Sequence, residues 1–361
     1  MPSQTLSQRQ LNRVTLGRQL LLGRATATVS DAVGGLAGLQ SQEPGPPYLA
    51  LWTRLAGFTR PDLHDALHSR ALVRATGVRG TLHTVRAADY LAWRPMLAPM
   101  LAESLRLLGD RANGLDREAV VAAAERYLAS GPLTFTQLRA RLTEDFPAVN
   151  DRALGFAVRM LIPLVMVPTD DRWSFPREAS FTLARDWLPA AKRPRGASLI
   201  EAYLGAFGPA SVADFQSWSG LGGMKPAFEA LDLARYASES GGSLYDLPGR
   251  ELPDPDTPAP ARFLPDFDSV LLAYADRRRI VADEHRPHIV TRNLRVNAAF
   301  LVDGMVAGLW KLAVKRKAAT LTLTPFETLP RPARAGLEAE GAELAAFLEP
   351  EAASVVVAVE G

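Results

Sequence analysis

Gly131-Pro-Leu-Thr-Phe-Thr-Gln-Leu-Arg-Ala-Arg-Leu142 resembles a second stretch, Gly208-Pro-Ala-Ser-Val-Ala-Asp-Phe-Gln-Ser-Trp-Ser-Gly-Leu221. Both open with Gly-Pro and a hydroxyl residue and run on as a short helix. Each leads into another helical run, over 151–162 and 224–231. After the first pair, residues 164–168, the polar turn Thr169-Asp-Asp-Arg172 and Trp173-Ser-Phe175 predict strand, turn, strand. Helix, turn, helix and hairpin in that order describe a winged helix-turn-helix module. Aligning Val29 with Phe135 and Val212 makes the N-terminal region a third copy. Its further helices fall at 48–55 and 60–69, and its strands at 72–78 and 81–85.

Around these copies, residues 5–23 predict an amphipathic helix, with Leu11, Val14, Leu21 and Leu22 opposite Arg9 and Arg13. Helices at 87–108 and 116–130 join the first two copies. A linker rich in proline and acidic residues spans 248–260. Beyond it, Asp303-Gly304 between apolar runs signals a hairpin, continued through 311–317 and 319–325. A helix at 333–348 and a strand at 354–359 follow. The fold class is therefore α+β, mainly α: three tandem winged-helix modules and a β-rich C-terminal domain. The division is 1–115, 116–195, 196–250 and 251–361.

The chain has 361 residues, 47% hydrophobic and 22% charged, with a net charge of only +2. Whole-molecule steering toward a polyanion is weak, so a basic site must be local. The absence of cysteine excludes disulfides, thiolate metal sites and cysteine nucleophiles. The N-terminus has no basic and apolar leader, and no apolar run approaches the ~20 residues of a membrane span. The expected partner is not a membrane, and the expected compartment is the cytoplasm.

Gln40 and Gln42 fall in the turn before the second helix of the first copy. An apolar helical run reaches Leu39, and Pro44, Gly45, Pro46 and Pro47 force a corner after the pair. Two neutral amides at a rigid corner either cap a helix end or hold a water or a sugar edge. Lys311, Lys315 and Lys317 share one face of a strand whose other face, Trp310, Leu312 and Val314, points to a core. Such a strand either lies along phosphates or is an edge protected by lysines. Arg277-Arg278-Arg279 is a second basic run, either a solvated loop or part of the same polyanion site. Alternation puts Thr81 and His83 on one strand face, aimed into a cleft or, for His83, buried in a structural hydrogen bond. His64 and His68 stand at i, i+4 without a HExxH glutamate, and His285 and His288 sit in an exposed loop, so no metal and no cofactor are expected. There is no phosphate loop, nucleophile elbow or kinase signature.

Leu39-Gln-Ser-Gln-Glu43, Arg79-Gly-Thr-Leu-His83, Phe263-Leu-Pro-Asp-Phe-Asp268 and Val302-Asp-Gly304 ahead of Gly308-Leu-Trp310 together resemble the AlkZ-like DNA glycosylases. The resemblance implies winged helices and a β-rich part forming a C-shaped molecule around a DNA channel. It implies that Gln40 and Gln42 are the catalytic Gln-x-Gln pair, and that a β-hairpin approaches the minor groove. A related branch carries Gln-x-Asp; this chain matches the first branch, which includes self-resistance enzymes of antibiotic producers. The implied activity is monofunctional hydrolysis of the glycosidic bond of N7-alkylated guanine, including bulky adducts or interstrand crosslinks. The implied partner is double-stranded DNA, engaged by a monomer that is nucleoid-associated when bound. The base is either extruded, as glycosylases often do, or, where a bulky adduct or crosslink resists extrusion, met in an open cleft around the duplex. The competing reading is a non-catalytic winged-helix transcriptional regulator. Its recognition helix would be exposed and polar, whereas Asp-Arg-Ala-Leu-Gly-Phe-Ala-Val-Arg-Met at 151–160 is too apolar for a groove reader.

Overall fold

Three hydroxyls at the aligned positions each start a helix. Thr28 Oγ1 accepts from the Asp31 amide at 3.1 Å, Thr134 Oγ1 from Gln137 at 3.2 Å and Ser211 Oγ from Asp214 at 3.1 Å. At the last two, the Gln137 and Asp214 side chains return to the cap's own N–H, closing capping boxes. Each cap is worth about 1 kcal/mol and fixes where its helix begins. The computed structural model describes residues 4–188, 198–291, 293 and 295–360, so the boundary expected between 195 and 196 lies outside the described residues.

The chain begins with β1 (Thr5–Leu6), α1 (Gln8–Arg18), α2 (Val29–Gly35), β2 (Leu39–Gln40), α3 (Pro46–Trp52), α4 (Arg60–His68), β3 (Leu72–Thr76) and β4 (Leu82–Arg86). After α5 (Ala87–Glu103) comes a similar order: α6 (Arg117–Leu128), β5 (Leu133–Thr134), α7 (Phe135–Asp145), α8 (Asp151–Leu161), β6 (Leu164–Met166), β7 (Ser180–Leu183) and the short α9 (Ala184–Trp187). A third round has α10 (Leu199–Phe207), α11 (Val212–Ser219), α12 (Lys225–Glu229), β8 (Ala234–Ser238) and β9 (Ser243–Asp246). The remainder is β10 (Arg262–Leu264), α13 (Arg286–Ile289), β11 (Ala299–Val302), β12 (Met305–Lys315), β13 (Ala318–Pro325), α14 (Arg331–Leu348) and β14 (Ser354–Val359). The fold is mixed α and β. None of the described helices is long and apolar enough to cross a membrane.

Four local expectations are corrected. The first helix is α1 alone, because Ser7 caps it and Leu6 is drawn into a strand beside β8. The run toward Leu39 leaves the helix at Gly35: Ala37 and Gly38 turn left-handed (φ 56° and 85°), and Leu39 and Gln40 pair with β4. A Cβ on Gly38 would stand 2.6 Å from Val85 Cγ1 and 3.4 Å from the Thr84 carbonyl, so only glycine permits that approach. The second hairpin's outgoing strand is β7, not 173–175. Ser174 sits at φ 60° in a turn closed by Thr169 N–H to Ser174 O at 2.7 Å, and Trp173 and Phe175 pack as single anchors. Lys317 lies in a turn rather than on the strand, as described below.

Among the described residues three sheets order the fold. The first two rounds share one six-stranded sheet, β2-β4-β3-β6-β7-β5, joined across a single pairing of Ala75 with Val165. The third round's hairpin takes β1 as a parallel third strand, and the C-terminal part is a five-stranded sheet in the order β10 to β14. One core lies under the first two rounds around Leu51, Leu63, Leu138 and Val158. A second core centres on Tyr203, Phe207, Phe215 and Trp218, with ring centroids 5.0–6.1 Å apart.

Buried ion pairs join the parts. Arg54, just after α3, meets Asp268 through two parallel bonds of 2.9 Å, both side chains 1% exposed. Arg54 also donates to the Gln19 and Ala50 carbonyls at 3.0 and 3.1 Å. Arg18 of α1 makes two 2.7 Å bonds to the buried Asp246 of β9. Asp303 faces Arg9 at 3.0 Å and also binds Arg13, while Gly304 (φ 79°) lies so close to Asn12 that a Cβ would be 2.6 Å from its Oδ1. Asp268 and Asp303-Gly304 therefore act as joints between the C-terminal sheet and the N-terminal helices.

Candidate active site around Gln40 and Gln42

Gln40 ends β2 opposite His83, and Ser41 to Gly45 form the corner into α3, whose first turn holds Pro46 and Pro47. Proline fits there because the first helical turn needs no N–H. Both glutamines lean on the hairpin between β3 and β4. Gln40 Oε1 accepts from Arg79 Nη2 at 2.7 Å, and Gln42 Oε1 faces the Leu82 amide at 3.4 Å. Gln40 is buried and Gln42 half-buried. The backbone between them is held from below: Arg74 Nε donates to Ser41 O at 2.9 Å and Arg74 Nη2 to Gln42 O at 3.0 Å. The Arg74 guanidinium lies 5.0 Å above the Phe175 ring. Burial lowers Arg74 to about 10, with Glu43 opposing the shift.

Arg79 is the hairpin's tip, at φ 54° and followed by Gly80 at 69°. Its Nη1 donates to the Trp218 carbonyl at the end of α11. Burial lowers its pKa to about 10, and the Arg277 charge pushes the same way. Arg159, also lowered by burial, donates to Gly80 O at 3.2 Å. A cleft of about 670 Å³ opens beside Gln42, walled by Trp173, Phe175, Phe181, Phe135 and Met166. Asp266 approaches from the C-terminal sheet: burial raises its pKa, Arg295 at 3.6 Å opposes this, and the Glu43 charge adds to the rise. Asp266 and Lys311 line one further cleft of about 470 Å³.

The other site residues separate. Thr81 is not in the strand; it ends the turn, with Oγ1 donating to Val78 O at 3.1 Å. His83 is a buried structural histidine: its Nδ1 lies 3.1 Å from the Thr81 carbonyl and so carries the proton. It does not face the aromatic cleft. Burial holds it down at about 3, and Arg79 pushes the same way. Stability follows. Below pH 6.5 the unfolded chain binds a proton that folded His83 refuses until about pH 3. The contribution is complete above pH 6.5 and is lost as pH falls through that window, up to about 4–5 kcal/mol at its lower end. Urea midpoints measured from pH 7 to pH 4 should fall less steeply for His83→Gln than for the parent; equal slopes would remove His83 from the acid response.

Arg279 is corrected. It is 5% exposed, stacks 4.0 Å over Tyr274 and donates to Pro209 O at 3.1 Å, so it serves the core and not a polyanion. Arg278 is exposed but paired with Asp276 at 2.6 Å. Arg277 is half-buried, and its Nε has no partner among the described residues. On the C-terminal hairpin Lys311, Lys315, Arg316 and Lys317 are exposed. Arg316 and Lys317 (φ 50° and 65°) form its two-residue turn, the left-handed pair that matches strand twist. Trp310 is buried and donates to Leu264 O at 3.0 Å, but Val314 is 50% exposed. The pairing of β12 with β11 stops at Leu309, so the outer half of β12 is an edge held by β13 alone, while β13 is backed by β14 up to the turn, where the Ala353 amide donates to Lys317 O at 2.7 Å.

His64 and His68 stack with centroids 4.0 Å apart, and Asp170 brings a carboxylate oxygen within 4.8 Å of them. His68 Nε2 lies 3.4 Å from the Thr169 carbonyl, to which it donates in the tautomer protonated there. His285 and His288 both pack on Phe326, at 4.5 and 5.1 Å, rather than standing free in a loop.

A family model described as DNA glycosylase AlkZ-like matches residues 33–347. The chain belongs to the AlkZ-like DNA glycosylase family. It is similar to a curated protein of Streptomyces sahachiroi named interstrand DNA cross-link repair glycosylase, 27% identical over 368 residues, 94% of this chain and 96% of that one. The solved structure of the Streptomyces sahachiroi DNA glycosylase AlkZ matches with a TM-score of 0.82 at 23% identity, covering 99% of this chain and 100% of that one. That likeness speaks for the fold. Family membership decides against a regulator without catalytic activity.

Proposed function

We propose that the protein is a monofunctional glycosylase that releases N7-alkylated guanine from double-stranded DNA, with Gln40 and Gln42 as its catalytic pair. The observation that carries this reading is the pair itself: two neutral amides fixed at a corner by Arg74, Arg79 and Leu82, beside an open cleft. Alkylation at N7 puts a fixed positive charge on the base. When the C1′–N9 bond breaks, its electron pair neutralises that charge, so the leaving group needs no general acid. A water then bonds to C1′ of the oxocarbenium-like sugar and gives its proton to solvent. What the protein adds is electrostatic preorganisation and placement of that water. Amides suit this task and are too weakly basic to drive release of an uncharged base.

The aromatic cleft bears on how the lesion is held. Of the two alternatives the sequence leaves, walls of tryptophan and phenylalanine beside Gln42 favour extrusion of the base, with its adduct. The cleft is open to solvent on one side, which leaves room for a bulky adduct. The name of the Streptomyces relative extends the range to interstrand crosslinks, as in antibiotic self-resistance. Excision from duplexes carrying N7-guanine adducts of increasing size, beside gel shifts on undamaged DNA, tests the reading. Binding without excision of any adduct would overturn it.

In this reading the three helix–hairpin rounds are tandem winged-helix modules, divided as the sequence predicts, and form with the C-terminal sheet a C-shaped monomer around the duplex in the cytoplasm. The edge strand and turn of the hairpin touch DNA through Lys311, Lys315 and Lys317, with Arg277 as a further cation. Replacing the three lysines by glutamine should weaken binding to all sequences alike. The slope of log K against log[salt] should shrink by about 0.9 for each phosphate that is no longer neutralised. An unchanged slope would make the lysines edge protection only.

A further inference from the structure

Gln40 does not have a freely turning amide. Arg79 Nη2 sits 2.7 Å from its terminal group, and a guanidinium has donors only, so the atom it meets is the carbonyl oxygen. The amide NH2 therefore faces away from Arg79. That nitrogen has no hydrogen-bond partner among the described residues, nor is it among the sealed, unpartnered buried atoms. Arg79 in turn cannot swing. Its second nitrogen is held by the Trp218 carbonyl, and its backbone is left-handed. Gly220 (φ 81°) packs beside it, where a Cβ would stand 3.4 Å from Arg79 Cα, at contact distance. Among the described residues no carboxylate is paired with Arg79; the charge it feels is that of Arg277, which repels it.

We propose that Arg79 is a positioning residue for base excision: it turns the Gln40 carbonyl inward so that Gln40 offers the DNA its NH2. This rests on the reading of Gln40 as half of the catalytic pair. It divides the labour of the two glutamines. Gln40 donates to a sugar or phosphate oxygen, and water is held by Gln42, whose oxygen is engaged only by the long 3.4 Å approach of the Leu82 amide. It also connects the site to α11, because the bond that aims Gln40 shares its guanidinium with the end of that helix.

The test is single-turnover excision of 7-methylguanine, DNA affinity and thermal midpoint for Arg79→Ala, Arg79→Lys, Gln40→Ala and the double variant Arg79→Ala/Gln40→Ala. Arg79→Ala should slow excision by about 10- to 100-fold with little change in affinity, the usual effect of a misaimed group. Arg79→Lys should recover part of the rate, and guanidinium ion at non-denaturing concentration should restore part of it to Arg79→Ala. The double variant should be no slower than Gln40→Ala, since Arg79 acts through Gln40. If Arg79→Ala does not fold, Arg79→Lys carries the same comparison against its own double variant with Gln40→Ala. Full excision by the Arg79 variants, losses that multiply in the double variant, or losses that track DNA affinity would each overturn the proposal. If Gln40→Ala itself excises normally, the catalytic reading fails; if only the Arg79 variants do, the reading stands and the positioning role falls.

Discussion

Gln40→Ala and Gln42→Ala should each slow single-turnover release of 7-methylguanine by about 100-fold or more while leaving affinity for the same duplex nearly intact. The size follows from what the chemistry lacks. The charged base leaves unaided, so the protein's share of the barrier is the placement of water and the support of a sugar cation. Removing one fixed dipole from such a site costs about 3–4 kcal/mol. Affinity should hold because phosphate contacts dominate it, and neither glutamine carries charge. The fold should hold too, since Arg74 grips the Ser41 and Gln42 carbonyls, which alanine keeps. Full activity in both variants would end the assignment. A matched loss of affinity would make the pair a binding element instead.

Asp268→Ala should destabilise the protein by about 3–5 kcal/mol, the cost of leaving one member of a buried pair uncompensated. Arg54 and Asp268 are each 1% exposed, and Arg54 also ties Gln19 and Ala50, so the stranded cation has no route to water. The double replacement Arg54→Met/Asp268→Leu should cost much less than Asp268→Ala, because it removes both charges. Urea unfolding at pH 7 reads both. A loss below about 1 kcal/mol for Asp268→Ala would show that water reaches the pair. Excision per folded molecule should be preserved. That result would separate the motif Phe263-Leu-Pro-Asp-Phe-Asp268 from the chemistry, whatever the fate of Gln40.

The sequence shows the helix starts well, because caps are local: Thr28, Thr134 and Ser211 each bond to an amide three residues on. It shows the corner at Gln40-Ser41-Gln42 for a similar reason, four proline and glycine residues in a row. It does not show Arg74 or Arg79. A buried arginine and a surface arginine are written alike, and only the fold reveals that these two hold the glutamines. The signal present for Arg74 was a charge inside the apolar run Leu72-Val-Arg-Ala-Thr76. The run Arg277-Arg278-Arg279 misleads in the opposite sense, since cation–aromatic stacking on Tyr274 takes Arg279 out of solvent. Trp173 and Phe175 look like strand residues because packing against Tyr48 and Arg74 demands the same apolar surface that pairing does.

The parallel pairing of Thr5 with Ala237 has a consequence for how the molecule assembles. The earlier strand waits for a partner made more than two hundred residues later. Closing so long a loop adds little to the final free energy cost but delays the event. Until it happens β8 is an open edge, able to accept a strand from another chain. Thr5 and Leu6 thus act as a clasp fastened late, and the interval before fastening leaves a newly made molecule prone to pair with its neighbours instead of itself.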